Sequence, residues 1–296
     1  MLAATNTNPT NALRVLIPLD GSPLAERAFL LLPCLRKLGA LSLRLLSVVN
    51  SPEGPDPLAS DDQLVCDPLV AEIYLKAIAK RLTEDNRSAP LIAVRNGPPA
   101  EIIMEEALLW GADFVLLSTH GRSGLQRWRL GSIADAIIRG SPVKSLVVGP
   151  AAQPADSIAT IIVGLDGSSL AEQAKPVAAT LASASHAAIL LARVVPIPAA
   201  GTELAGGLTL DSEKTAAREY LEASAATLQS DLPIRCEVTA GSPAEELLAL
   251  VRQTKRSLLV LASHHRSGLP RAVLGSVTDW LIREGPAPVL VLPASD

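Results

Sequence analysis

Aromatic side chains are nearly missing from this chain of 296 residues: Phe, Trp and Tyr together supply 2% of it. Its cores must therefore be filled by Leu, Val, Ile and Ala, and a single-strand nucleic-acid surface of stacked rings has little to be built from. Excess positive charge is missing too. The net charge of −4 leaves no basic stripe for a polyanion, which argues against nucleic acid as a main partner. No apolar run is long enough to span a bilayer, so no membrane partner is expected. Cysteine is sparse. Cys34, Cys66 and Cys236 are odd in number and far apart, which excludes a disulfide framework or a cysteine metal motif and suits reduced thiols in a cytoplasmic protein. The polar stretch from Met1 to Asn11 has neither the basic start nor the apolar segment of a secretory signal and reads as a loose tail.

What the chain does contain is apolar material and a long repeat. Hydrophobic residues make up 48% and charged residues 19%, enough for packed cores and too apolar for disorder. VLIPLDGS (Val15–Ser22) returns as IIVGLDGS (Ile161–Ser168), with Asp20 and Asp166 146 residues apart. GPPAE at Gly97–Glu101 returns as GSPAE at Gly241–Glu245. The stretch beginning STHGRSGL at Ser118 returns as ASHHRSGL at Ala262, with His120 and His264 144 residues apart. A repeat this long is a duplicated domain, because solenoid units run to only about 20–50 residues. The expected layout is a tail over 1–10, domains over 11–150 and 158–296, and a linker over 151–157.

Within each half, apolar runs of five to eight residues alternate with longer amphipathic stretches. Runs that are continuously apolar, rather than alternating, point to parallel strands buried on both faces. The first half offers Leu13–Leu19, Leu41–Val49, Leu91–Val94, Phe114–Ser118 and Ser145–Val148. The second offers Thr160–Leu165, Ala188–Val195, Ile234–Thr239, Leu258–Ala262 and Val289–Leu292. Helices are expected over Pro23–Leu38, kinked at Pro33, and over Pro68–Glu84, Pro98–Leu109 and Ser132–Arg139. Their counterparts are Ser169–Ala182, Asp211–Leu228, Pro243–Gln253 and Ser276–Arg283. The fold class is α/β: two tandem open parallel five-stranded sheets with helices on both faces. Ligands in such sheets bind beyond the carboxyl ends of the strands, where the strand order reverses. The final strands are apolar edges that need a partner, so the two halves should pair with each other.

One loop at that switch point carries the chemistry. Strand four of the first half ends in Ser118-Thr119-His120-Gly121; nine residues later Gly131-Ser132 opens a helix. Gly121 lets the backbone approach a ligand. Gly131-Ser132 stands where free N–H groups and the positive end of a helix dipole favour phosphate. Arg122 and Arg127 lie between them and could meet phosphate charge. A plain turn and helix cap would look the same in isolation; recurrence of the frame in the second half favours a ligand.

These residues resemble the universal stress protein family, whose nucleotide-binding members carry Gly-x-x-Gly, nine residues, then Gly-Ser or Gly-Thr. The resemblance runs from about Asn11 to Pro150 and again from about Ser157 to Pro293. It implies a Rossmann-like, adenine nucleotide alpha hydrolase-like sheet in each domain and an adenine nucleotide, ATP foremost, with Mg²⁺ as an accompanying ion. Adenine and ribose are placed by it near Pro18, Asp20 and Val48. The phosphates are placed near Ser118, Gly121, Arg122, Gly131, Ser132 and Ile133. In the second half the corresponding residues are Asp166, Val194, Gly275 and Ser276. It further implies a stress-response regulator whose two domains form an intramolecular pseudo-dimer, with a homodimer of chains and unidentified protein partners beyond that.

The chain departs from the motif at named places. Ser118 stands for the first glycine. In the second half Ala262 and His265 stand for the first two, so that site is either altered or lost. The adjacent pair His264-His265 has no accompanying ligand cluster, which argues against a metal. His120, Ser132 and Asp20 lack a nucleophile elbow and name no catalytic triad. Two other functions stay open: a slow ATPase, with His120 as the one evident base, and an interaction module without ligand.

Overall fold

The computed structural model describes residues 12–49, 67–84, 89–119, 130–197, 209–228, 231–262 and 275–293. Gly121, Arg122, His120, Arg127, Cys66 and the pair His264-His265 lie outside them.

The first half contributes β1 (Leu13–Pro18), β2 (Leu41–Val49), β3 (Leu91–Asn96), β4 (Phe114–Ser118) and β5 (Lys144–Val148). The second contributes β6 (Thr160–Gly164), β7 (Ala188–Val195), β8 (Ile234–Ala240), β9 (Ser257–Ala262) and β10 (Val289–Leu292). Within each half all pairings are parallel, in the order β3-β2-β1-β4-β5 and β8-β7-β6-β9-β10. The order reverses between β1 and β4, and between β6 and β9, which sets the two switch points.

Helices follow the strands. The expected helix over 23–38 is split into a 3₁₀ turn, Ala25–Leu31, and α1, Leu32–Leu38. The break falls where Pro33 enters the first turn of α1, the one helical place where a missing N–H costs nothing. The counterpart splits likewise, into α5 (Ser169–Glu172) and α6 (Ala174–Ser185). The others are α2 (Pro68–Glu84), α3 (Pro99–Trp110), α4 (Ser132–Gly140), α7 (Leu210–Ala226), α8 (Pro243–Gln253) and α9 (Ser276–Glu284). No helix among the described residues is long and apolar enough to cross a membrane.

The two sheets do not stand apart. β5 and β10 pair antiparallel, Val289 with Val147, Leu290 with Leu146 and Val291 with Ser145, and one ten-stranded sheet results. Leu146 and Leu290 are the same position of the repeat, so a pseudo-twofold axis passes between them and the contact is self-complementary. Strand alternation then sorts the core into two layers, each continuous across both halves. Val15, Ile17 and Leu45 pack with α1, α2, α6 and α7 on one face. Leu16, Val48 and Leu117 pack with α3, α4, α8 and α9 on the other. Because the seam is antiparallel, the carboxyl ends of the two halves lie at opposite margins of the sheet.

Close packing at the seam constrains Gly149, directly after β5. A Cβ there would stand 1.9 Å from the carbonyl oxygen of Ile282 in α9. Away from the seam the halves differ in one buried group. Glu106, in α3 and only 3% exposed, is held by Arg44 at 2.6 Å and by Arg95 at 2.7 Å. The repeat places Leu190, Leu250 and Thr239 there, so an ion triad in one half replaces an apolar contact in the other.

Substitutions at both places test this packing. Glu106→Ala removes the carboxylate that meets both arginines and should cost about 1–3 kcal/mol, whereas Arg44→Leu, Arg95→Thr and Glu106→Leu together, copying the second half, should recover most of that in urea unfolding. Gly149→Ala should destabilise by about 1–3 kcal/mol through the clash with the α9 backbone.

Candidate functional site

The first switch point is assembled from turn, strand ends and one helix start. After β1 the Leu19 N–H still bonds the Leu46 carbonyl (2.8 Å), so alternation continues to Asp20. Pro18 and Asp20 therefore share the parity of Leu16, the α3/α4 face. Gly21 takes φ = 84°, a left-handed conformation that suits glycine. This lets the Ser22 N–H donate to Asp20 Oδ1 at 2.9 Å, while Ser22 Oγ accepts from Ala25 N–H at 3.1 Å and starts the 3₁₀ turn. Asp20 is thus a turn former through one carboxylate oxygen.

Val48, near the end of β2, belongs to the same α3/α4 core layer. β4 adds a pair of residues of opposite aspect. The Thr119 N–H bonds the Val148 carbonyl (3.1 Å), so the ladder runs one residue past β4. Ser118 then shares the parity of Phe114 and Leu116 on the α1/α2 face, and Thr119 that of Val115 and Leu117 on the α3/α4 face. Both hydroxyls are buried and have no hydrogen-bond partner among the described residues, and Thr119 is only 1% exposed. An unpaired buried hydroxyl costs free energy unless something beyond the described residues meets it. Thr119 is not among the expected site residues. Its one sequence signal is its place beside Ser118 in the motif; its burial shows only in the fold.

Gly131 is the N-cap of α4, with φ = −57° and ψ = 141°, and no side chain among the described residues caps the helix. Its carbonyl accepts from Asp135 N–H at 2.9 Å. The first-turn N–H groups of Ser132 and Ile133 therefore have no capping acceptor among those residues, and Ile133 is 41% exposed. Gly275 stands identically before α9, φ = −53° and ψ = 130°, again without a described side-chain cap, and Ser276 opens that helix. Neither φ requires glycine. At Gly275 the only described atom within 4 Å of a Cβ would be Thr278 Oγ1, at 4.0 Å.

In the second half the strand ends are furnished differently. Asp166 Oδ1 accepts from Ser168 N–H at 2.8 Å, and Gly167 has φ = 89°, so the turn is the same. Val194 sits against the α8/α9 core layer. Gly164, however, replaces Pro18, and Leu261 leans into the space, its Cδ2 2.7 Å from where a Cβ would be. Ala262 removes the hydroxyl of Ser118. Arg193 lies 4.5 Å from the Tyr220 ring centre and close against Gly167, where the first half has Ser47.

A paired Tyr and Glu flank both turns. The Tyr74 hydroxyl donates to Glu26 Oε1 at 3.2 Å, and Tyr220 donates to Glu172. Burial first, then the neighbouring Glu26 and Asp20, push the Tyr74 phenol far above its usual range. Burial and Glu172 push Tyr220 up to about 12. Among the described residues no cluster of three or more His, Cys, Asp or Glu could hold a metal.

Comparison with known proteins gives a consistent picture. The model of the universal stress protein family matches residues 12–149 and again 158–293. A universal stress protein of Mycobacterium tuberculosis is 30% identical over 191 residues, which cover 61% of this chain and 61% of the relative, so the match spans about three fifths of that relative's length. Another from the same organism is 25% identical over 316 residues, covering 98% of this chain and 96% of the relative. The crystal structure of a universal stress protein from Archaeoglobus fulgidus superposes with a TM-score of 0.73 at 19% identity, covering 95% of this chain and 98% of the other, a likeness of fold.

Two measurements check this geometry. Tyr74 and Tyr220 are the chain's only tyrosines. Native protein should therefore show almost no phenolate absorbance at 295 nm as pH passes about 10, the ordinary tyrosine value. Unfolded chains ionise there first, so stability present below about pH 10 should fall as pH rises beyond it. Gly275→Ser meets only Thr278 Oγ1, at an ordinary contact distance of 4.0 Å, and supplies a good N-cap; it should leave unfolding free energy unchanged or raise it by a few tenths of a kcal/mol.

Proposed function

The chain belongs to the universal stress protein family, matched once in each half, and on that premise we propose that its first half binds an adenine nucleotide, with ATP as the leading candidate. One observation carries the reading. The buried Thr119 hydroxyl, partnerless among the described residues, shares the α3/α4 face of the switch point with Pro18, Asp20 and Val48, the face on which the uncapped start of α4 also lies.

The roles follow from chemistry. Pro18 and Val48 supply apolar surface for a purine. Asp20 retains one carboxylate oxygen for a ribose hydroxyl while the other holds its turn. The N–H groups of Ser132 and Ile133, with the helix dipole behind them, suit phosphate oxygens. Glycine at 131 keeps a side chain away from that anion. Gly121 and Arg122 join this set on sequence grounds alone, and Mg²⁺ would accompany the phosphates from solvent. Ser118 faces the other side of the sheet and acts at most through the strand. The domains are placed at 11–150 and 158–296, joined through 151–157.

The second half is proposed as the weaker site. Leu261 fills the place of Pro18's ring, and His265 stands where the first half has Gly121. The proposed function is regulatory: bound nucleotide favours one conformation and so changes contacts with partners.

Thermal unfolding with and without Mg-ATP tests the assignment. A ligand at about 100 times its Kd stabilises by about 2.7 kcal/mol, a shift readily seen. Thr119→Val and Gly131→Leu should each remove the shift and leave the ligand-free midpoint nearly unchanged; Gly275→Leu should keep most of it. Wild-type protein that does not shift, or a full shift in both first-half variants, would refute the site.

A further inference from the structure

Closing β5 against β10 leaves the sheet two outer edges, β3 and β8, and the repeat makes them counterparts. Their backbones present the same groups. Gly97 N–H bonds the Val49 carbonyl at 3.2 Å, and Gly241 N–H bonds the Val195 carbonyl at 3.0 Å. Backbone groups alternate in direction along a strand, so the N–H and C=O of Ile92 and Val94 point away from β2. Those of Cys236 and Val238 point away from β7 in the same way. No described strand pairs with either edge.

The side chains on the two edges differ. β3 reads Leu-Ile-Ala-Val from Leu91 and carries no charge until Arg95, which Glu106 holds. β8 carries exposed Arg235 and Glu237 where β3 has Leu91 and Ala93. Charges of that kind keep a natural sheet edge from pairing. The flanking helices repeat the contrast. Ile102 lies close against Gly97 and Glu106 holds Arg95, so that side of α3 faces β3. Leu109, three residues beyond Glu106 on the same side, is 70% exposed, and Leu91 is 48% exposed at the start of the strand. The repeat places exposed Gln253 and Arg235 there. One margin of the sheet is guarded by charge; the other is apolar.

We infer that the β3 edge pairs antiparallel with the β3 edge of a second copy of this chain, closing a twofold dimer. The occupant is a second copy because the edge complements itself. With the axis at Ala93, Ile92 of each copy exchanges N–H···O bonds with Val94 of the other. Ala93 then meets Ala93, and Leu91 meets the aliphatic stem of Arg95, so no like charges stand opposite each other.

The same arrangement on β8, with the axis at Glu237, sets Glu237 against Glu237, a like-charge pair that opposes association. The seam shows the manner of pairing within one chain: β5 and β10 are repeat counterparts, apolar, and joined antiparallel about the pseudo-twofold. The contact at β3 is isologous and the edge at β8 is guarded, so assembly stops at two chains. The dimer stands whether or not a nucleotide binds at either switch point.

Sedimentation equilibrium of the full chain at about 50 μM should give twice the chain mass of 30.9 kDa. Val94→Pro removes an outward N–H and sets the proline ring across the contact, while the ladder to β2 does not use that N–H; it should weaken dimerisation at least about tenfold. Val238→Pro makes the same change on β8 and should leave the dimer intact. Leu91→Arg with Leu109→Gln copies the second half at two exposed positions and puts a cation opposite Arg95, so it should dissociate the dimer as well. Should Val94→Pro fail to fold by circular dichroism, that double variant decides alone. A monomeric wild type, species larger than a dimer, or a dimer that the folded β3 variants leave intact would overturn the inference. Loss of the dimer in Val238→Pro alone would overturn it too, because the contact would then lie at the other margin.

Discussion

The antiparallel pairing of β5 with β10 is the contact on which the rest of the molecule depends. Each half alone would end in an apolar strand with a bare hydrogen-bonding edge, a template for unwanted association. Joining the two edges removes both at once. It also merges the cores: side chains of β1, β4 and β6 end up in one layer with α1 and α6, although they belong to different halves. Small changes at the seam therefore propagate, as the contact between Gly149 and the Ile282 carbonyl illustrates. The antiparallel sense has a further consequence. It sends the carboxyl ends of the two halves, and both switch points, to opposite margins of the sheet, so ligands there could influence one another only through the shared core.

Within that common frame the halves have diverged in chemistry while keeping their backbone. The turn is duplicated in detail, with Asp20 and Asp166 accepting from Ser22 and Ser168 across a left-handed glycine. The surroundings are not. The first half carries two hydroxyls at the end of β4 that no described residue meets, and a proline at the end of β1; the second has Ala262, and Gly164 under Leu261. The buried Thr119 hydroxyl, unmatched among the described residues, marks the place where something beyond them satisfies it. The Glu106 triad shows the same divergence, with Arg95 the register partner of Val48 and with Leu190 and Leu250 in the places of Arg44 and Glu106 in the second half.

Much of this is legible in the residues. Strands buried on both faces read as short unbroken apolar runs, which is why β2, β4, β7 and β10 have the expected bounds or nearly so. The helix over 23–38 cannot be seen as two pieces, because Ser22 and Pro23 announce a start while only packing decides how Pro33 divides the residues after them. Ser169–Ala182 splits for the same kind of reason, at Gln173. The seam is expected from the apolar final strands, but its register, with Leu146 opposite Leu290, belongs to packing. At the site, glycines single out Gly121 and Gly131. Thr119 carries no such signal, because a threonine gains meaning only when the fold buries its hydroxyl without a partner. Ser118 faces the other way because strand parity, not proximity in sequence, sets the side.

Whether the first switch point, and not the second, takes an adenine nucleotide is measured most directly by isothermal calorimetry of the full chain with Mg-ATP. A stoichiometry of one per chain, abolished by Thr119→Val, is the predicted result; no heat of binding, or one equivalent that survives that substitution, would contradict it.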